Sequence, residues 1–168
     1  MTPNELAAWK KDFIERAAAL TPETVNHFVS LYAEDCKFSD PFHSLTGRKA
    51  IGQAYRSMFL NLHRPCFTDL VIAEVPQPTA ASGLSSESGA ELSLATRWVF
   101  RFSVSPAKPI RAIPGTSWLQ VDGSNGQIKK HEDHWDSSLF FESFGGLSWA
   151  VRYLRQRVAA ASHVTNMT

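Results

Sequence analysis

Residues 94–104 read LATRWVFRFSV, and this stretch decides the fold class. Large apolar side chains recur at every second position, which is typical of a β-strand with one buried face. The buried face is predicted to run from Leu94 to Val104 and to include Thr96, with Arg97 and Arg101 on the opposite face. The alternation therefore predicts a long strand on one side of a protein core.

Further strands are predicted on both sides of this one along the chain. Residues 76–90 are rich in Pro, Ser, Gly and Ala, which predicts a long mobile hairpin loop. The sequence DGSNG at 122–126 is a strong turn signal. The predicted strands of this antiparallel meander are 67–75, 94–104, 111–121 and 127–135.

Helical periodicity appears before and after the meander. A first helix is predicted to end near Leu20. A second, short helix is predicted to follow Thr21-Pro22-Glu23 and to have Tyr32 in its buried stripe. A third helix is predicted to begin at Thr46-Gly47. A short strand is expected at 37–39. A final helix has its apolar stripe at Leu147, Ala150, Val151, Leu154 and Val158. Segregated helices and strands predict an α+β fold with helices packed on one face of the sheet, in a single domain over residues 1–168.

Composition narrows the functional classes. The formal net charge of the 168 residues is +1, and no basic stripe of the kind found in nucleic-acid-binding proteins is present. The two cysteines, Cys36 and Cys66, have no metal-ligand spacing and suit a reducing compartment. With no signal-like core and no apolar run of the roughly 18 residues that a membrane span needs, a cytoplasmic protein is expected.

Two motifs resemble a known superfamily. Residues 31–42, LYAEDCKFSDPF, and the helix start GRKAI at 47–51 resemble the corresponding segments of the nuclear transport factor 2-like superfamily. Residues 131–136, HEDHWD, are similar to the last strand of uncharacterised SnoaL-like bacterial members. The resemblance implies a cystatin-like cone, in which a curved, mostly antiparallel sheet and N-terminal helices enclose a pocket. It also implies a homodimer formed through the outer face of the sheet.

Asp40 is the first candidate catalytic residue. It matches the general base of ketosteroid isomerase, and a carboxylate at the rim of an apolar pocket suits proton transfer. The alternative is that Asp40 accepts backbone hydrogen bonds and shapes the turn with Pro41. The oxyanion hole of that isomerase is not matched, since Arg16 and the Thr116–Trp118 region occupy the corresponding positions. Ketosteroid isomerase activity itself is therefore not expected.

The last strand supplies the second candidate. His131, Asp133 and Trp135 share one face by alternation, and Glu132, His134 and Asp136 share the other. Either face could join an imidazole to a carboxylate, and His134 is taken as the acid–base partner of Asp40. The alternatives are a solvated sheet face and, for Asp136, a helix cap. The predicted pocket residues are Phe38, Tyr55, Phe59, Trp98, Phe100, Trp118, His131 and Asp133.

Other ligands are given less weight. The histidines show no metal-ligand pattern, so neither a metal nor another cofactor is predicted. Arg152, Arg155 and Arg157 lie beside Trp149 and Tyr153 on the final helix, which allows contact with an anionic membrane surface, although such helices more often pack on their own domain.

Two functional hypotheses follow from these residues. The first is a domain that binds a small apolar, lipid-, polyketide- or steroid-like molecule and acts on it by proton transfer, as an isomerase, cyclase or hydratase does. The second is a non-catalytic interaction or oligomerisation module, whose interior would be filled by side chains.

Overall fold

The computed structural model describes residues 1–76, 91–144 and 148–161. The predicted loop at 76–90 therefore lies, apart from its first residue, outside the described part of the chain. The elements are α1 (Pro3–Ala18), α2 (Val25–Val29), β1 (Tyr32–Ser39), β2 (Ser44–Thr46), α3 (Arg48–Asn61), β3 (His63–Glu74), β4 (Glu91–Ser103), β5 (Arg111–Asp122), β6 (Ile128–Trp135), α4 (Ser137–Phe141) and α5 (Ser148–Ala161).

The strands form one six-stranded, mostly antiparallel curved sheet in the order β2-β1-β6-β5-β4-β3. The run from β3 to β6 is the predicted antiparallel meander, and β1 joins it by parallel pairing with β6, where Phe38 lies opposite His131. The three N-terminal helices pack on this sheet and close the core. The α+β prediction is thus confirmed.

Two local predictions were wrong. Tyr32 was predicted to belong to the buried stripe of the second helix, but α2 ends at Val29 and Tyr32 opens β1 opposite Ile128. The strand expected at 37–39 is therefore longer, and a short partner strand, β2, pairs with it. Tyr32 lies at helical spacing from the apolar residues of α2, but it is buried as the first residue of a strand. The apolar pattern alone does not distinguish these two cases.

Bulges shape the edge strand β3. Arg64 and Asp69 have positive φ angles of 53° and 55°, and the pairing with β4 shifts register around both positions. A bulge adds one residue to one strand and bends it. Because of the bulge at Asp69, Phe67 and Leu70 both pack against the core although they are three positions apart.

The inner face of β4 carries the predicted alternation. Leu94, Trp98 and Phe102 are buried there, and the Trp98 indole lies over Gly115 of the neighbouring strand. A Cβ atom at position 115 would overlap that indole. Glycine at 115 therefore fixes where the Trp98 ring can lie, and the position of this ring matters for the site described next.

The chain divides into two compact units, Met1–Trp135 and Asp136–Thr168. The first contains the helices α1 to α3 and the whole sheet. The second contains α4 and α5 among its described residues, and the Asp136 side chain accepts a hydrogen bond from the Ser138 backbone at the start of α4. Asp136 thus acts as a helix cap, the alternative considered for it from the sequence.

Candidate functional site

A chain of hydrogen-bonded side chains crosses the inner face of the sheet. The Tyr32 hydroxyl lies 2.7 Å from His131 Nδ1, and His131 Nε2 lies 2.8 Å from Asp133 Oδ1. Ser117 donates to the same Asp133 oxygen at 2.5 Å and accepts from the Trp98 indole at 2.8 Å. This side-chain network therefore joins four strands, β1, β6, β5 and β4.

Burial of His131 and the acceptor-only carboxylate of Asp133 together set the direction of these hydrogen bonds. His131 is 3% exposed, so both ring nitrogens need partners inside the protein. Burial raises the pKa of Tyr32 well above its ordinary value, so its phenol keeps its proton and can donate to His131 Nδ1. The Asp133 carboxylate can only accept, so Nε2–H of the imidazole donates a hydrogen bond to it and Nδ1 is left to accept from Tyr32. The carboxylate is then the final acceptor of the chain.

A second phenol lies beside the first. The Tyr55 hydroxyl is 3.5 Å from that of Tyr32, which is a weak contact. Burial raises the pKa of Tyr55 as well, so this group also stays protonated. Phe38 packs edge-on against both Tyr55 and His131. The phenols are thus available as hydrogen-bond donors within an aromatic shell.

These groups border an interior cavity between the helices and the sheet. The cavity has a volume of about 20 Å³, which is room for one water molecule. Its wall is mainly apolar, and its polar groups come from Tyr55 of α3 and from residues of β4, β5 and β6. The lining residues are Phe13, Ala17, Phe28, Tyr55, Phe67, Leu70, Thr96, Trp98, Ser117, His131 and Asp133.

An outer cleft opens on the other side of Asp133. It has a volume of about 310 Å³ and lies where β1 and β6 end. This volume is at the lower end of the range of small-molecule sites, about 300–1,000 Å³. The cleft is lined by Ser39, Asp40, Pro41, Asp133, His134 and Trp135. Asp133 is therefore the residue that the interior cavity and the outer cleft share.

The two carboxylates of the cleft differ in their surroundings. Asp40 accepts hydrogen bonds from the backbone N–H groups of Phe42 and His43 at 2.7 and 2.6 Å, and the His43 ring lies 3.0 Å away. This is the turn geometry of the alternative considered for Asp40. Asp133 receives both of its hydrogen bonds on Oδ1, and no described residue donates to its Oδ2. Asp133 therefore keeps one oxygen free for a ligand.

The predicted site residues are divided between these places. Tyr55, Trp98, His131 and Asp133 line the interior cavity, whereas Asp40 and His134 line the outer cleft with Asp133. Phe38 and Phe100 are buried and Phe59 is half-buried, but none of the three lines either cavity. Trp118 lies on the outer face of the sheet and is 47% exposed, because its neighbour Ser117 takes the inward position.

The sequence reasoning did not single out Tyr32, Thr96 or Ser117 as site residues. A usable signal existed for the last two, since both are polar residues at inward positions of alternating strands. Thr96, Ser117 and Asp133 are direct cross-strand neighbours in β4, β5 and β6. We call these three residues the polar row. No comparable signal marks Tyr32, whose role depends on the parallel pairing of β1 with β6.

Among residues 1–76, 91–144 and 148–161, no three His, Cys, Asp or Glu side chains are grouped as metal ligands. Within the same ranges no helix has the length and hydropathy to cross a membrane. On α5, Trp149, Tyr153 and Leu154 are exposed.

Solved structures share this fold at low sequence identity. An NTF2-like protein of unknown function from Exiguobacterium is 18% identical, with a TM-score of 0.55 over 76% of this chain and 98% of that one. A hypothetical protein with a ketosteroid isomerase-like fold from Catenulispora acidiphila, solved in complex with trimethylamine, is 16% identical, with a TM-score of 0.57 over 86% of this chain and 95% of that one. A provisionally assigned scytalone dehydratase from Novosphingobium aromaticivorans is 18% identical, with a TM-score of 0.56 over 79% and 84%.

The chain therefore has the nuclear transport factor 2-like fold, as the sequence motifs predicted. Other structures with this fold are provisionally assigned as polyketide cyclases or as an isomerase. No family model and no curated protein matches the sequence. Because one fold carries many activities, the function has to be argued from the site.

The hydrogen bond between Tyr32 and His131 makes a stability prediction. Replacing Tyr32 by Phe leaves Nδ1 of a buried imidazole without a partner, which costs about 1–3 kcal/mol of unfolding free energy. Urea denaturation followed by tryptophan fluorescence measures this loss.

Tyr55→Phe is the matched control, since it removes the same hydroxyl from a neighbouring phenol that makes no hydrogen bond to the His131 ring and only a 3.5 Å contact with Tyr32. We expect it to cost clearly less than Tyr32→Phe. Equal costs for the two variants would show that the Tyr32–His131 hydrogen bond contributes nothing specific to stability.

Proposed function

We propose that this protein binds a small, mainly apolar organic molecule in the outer cleft and transfers a proton on it. The observation that carries the proposal is the position of Asp133, whose Oδ1 is held by His131 and Ser117 and whose Oδ2 accepts no hydrogen bond from a described residue. A carboxylate that is fixed in place but keeps a free oxygen suits the role of general base.

Charge narrows the class of substrate. Two carboxylates, Asp40 and Asp133, line the cleft, and no lysine or arginine lies among its lining residues. Coulomb repulsion therefore disfavours an anionic ligand. A neutral ketone, enone or hydroxyketone with a lipid-, polyketide- or steroid-like body fits best, with the Trp135 indole as its apolar contact.

Asp40 and His134 act in the proposal as the second acid–base pair of the cleft. The exposed His134 can exchange protons with water, and Asp40 faces the same space as Asp133. A proton taken by Asp133 from a carbon next to a carbonyl would return at a neighbouring atom, which is isomerase- or cyclase-type chemistry. The two free thiols, Cys36 and Cys66, accord with a reducing, cytoplasmic location.

Proton transfer can be tested before the natural substrate is identified. Purified protein is incubated in D₂O with 1-tetralone, an apolar ketone, and loss of the α-proton signal is followed by ¹H NMR. We expect exchange above the buffer rate, with Asp133→Asn lowering it by about 10²–10⁴-fold. Asp40→Asn is expected to lower it in the same direction.

Asp35→Asn is the control for the loss of one acidic group, since Asp35 is exposed and lines neither cavity. Exchange that depends on Asp40 but not on Asp133 would make Asp40 the base and leave Asp133 a structural role. Exchange at the buffer rate with wild-type protein, together with no change in the Trp135 indole signal on adding the ketone, would argue for a non-catalytic module.

A non-catalytic oligomerisation module is the second candidate, and two observations favour it. The interior cavity is largely filled by side chains. In addition, Trp118 is exposed on the outer sheet face, where Ala95 and Glu132 are its cross-strand neighbours. Aromatic residues are enriched at the centres of protein–protein interfaces. The proposed partner is a second copy of the chain, which forms a homodimer through this face.

Light scattering on the purified protein tests the dimer. We expect twice the chain mass for the wild type and a single chain mass for Trp118→Asp, because a charge would be buried without a partner. Leu60→Asp, a substitution of a residue that is 86% exposed on α3, is the control and should leave the mass unchanged. A monomeric wild type, or a dimer that Trp118→Asp does not weaken, would contradict this interface.

A further inference from the structure

The polar row contains one hydroxyl with no partner. Thr96 is 3% exposed, and its Oγ1 makes no hydrogen bond within the described part of the chain. Thr96 faces the interior cavity, between Ser117 on the neighbouring strand and the aromatic wall. Buried polar atoms in native proteins nearly always have a partner, so this hydroxyl indicates an occupant of the cavity.

The size of the cavity limits the occupant. About 20 Å³ is above the roughly 10–15 Å³ that a single water molecule requires and leaves no room for an organic ligand. Small apolar cavities stay dry, but a cavity with two to four polar partners holds a water molecule. The number of available polar groups therefore decides between a dry and a wet cavity.

Three groups around the cavity have unused hydrogen-bonding capacity. Ser117 and His131 are committed to the network already described. Thr96 can both donate and accept, and Tyr55 has only its weak contact with Tyr32. Asp133 Oδ2 has two lone pairs, so one can accept from the cavity while the other stays open to the cleft. The occupant must accept from a phenol and donate to a carboxylate. Water does both, whereas a carbonyl oxygen cannot donate and an ammonium ion cannot accept.

We propose that the interior cavity is a binding site for one water molecule, which is held by Thr96 and links the Tyr55 phenol to Asp133. The water extends the hydrogen-bonded network around Asp133 to the Tyr55 phenol. Its presence does not depend on the proposed function. Its second role, holding Asp133 in the orientation used for proton transfer, rests on that function.

The test compares Thr96→Val, which replaces the hydroxyl by a methyl group of similar size, with Thr96→Ser, which keeps the hydroxyl. Crystal structures that resolve ordered water should show one water molecule within hydrogen-bond distance of residue 96 and Tyr55 in the wild type and in Thr96→Ser. The water should be absent from Thr96→Val, whose melting temperature should fall by about 2–4 °C.

An empty cavity in the wild type would overturn the proposal, as would a Thr96 hydroxyl bonded to a backbone carbonyl. A Thr96→Val protein that melts at or above the wild-type temperature would do the same, because removal of an unpaired buried hydroxyl stabilises a protein. If Thr96→Val does not fold, the wild-type and Thr96→Ser structures still decide the point.

The functional role has a separate readout. Thr96→Val should lower the rate of deuterium exchange into 1-tetralone about tenfold, and Thr96→Ser should stay near the wild-type rate. Equal rates in all three proteins would remove the functional role and leave the water a structural one. Exchange at the buffer rate in all three would refute the proposed function, while the crystal structures would still decide whether the water is present.

Discussion

The buried imidazole of His131 is the constraint on which the rest of the site depends. A ring with two nitrogens and 3% exposure is stable only if both nitrogens are paired inside the protein. Tyr32 and Asp133 supply the two partners, and they come from different strands, β1 and β6. The requirement thus ties β1 to β6 through side chains as well as through backbone pairing. It also brings a carboxylate, which would ordinarily stay in water, to the edge of the core.

The carboxylate of Asp133 then requires its own support. Ser117 donates to it, and the Trp98 indole donates to Ser117, so the network reaches β4. The indole can lie in this position because Gly115 has no side chain beneath it. Fixed in this way, Asp133 borders the interior cavity on one side and the outer cleft on the other. Asp133 is thus a rigid, partly exposed carboxylate that lies between the protonated phenols of Tyr32 and Tyr55 and an open cleft. Acid–base chemistry needs a group that is held in this way.

Much of the fold could be predicted from the sequence, because the signals concerned are local. The alternation from Leu94 to Phe102 placed Thr96 and Trp98 on the inner face of β4, as observed. The outward position of Trp118 was available from the same rule but was missed, since an aromatic residue was taken for a pocket wall. The site was less predictable. Alternation separates His131 from His134 but does not say which face is buried, and that depends on the pairing of Phe38 with His131 across parallel strands.

The direction of the hydrogen-bonded chain decides the role of Asp133. A proton on His131 Nε2 makes Asp133 the final acceptor of the chain. The ¹⁵N chemical shifts and one-bond couplings of the His131 ring, measured on histidine-labelled protein at neutral pH, report this directly. We expect a protonated Nε2 and an unprotonated Nδ1 that accepts from Tyr32. A proton on Nδ1, alone or together with one on Nε2, would contradict this direction, because Tyr32 would then accept from His131 instead of donating to it.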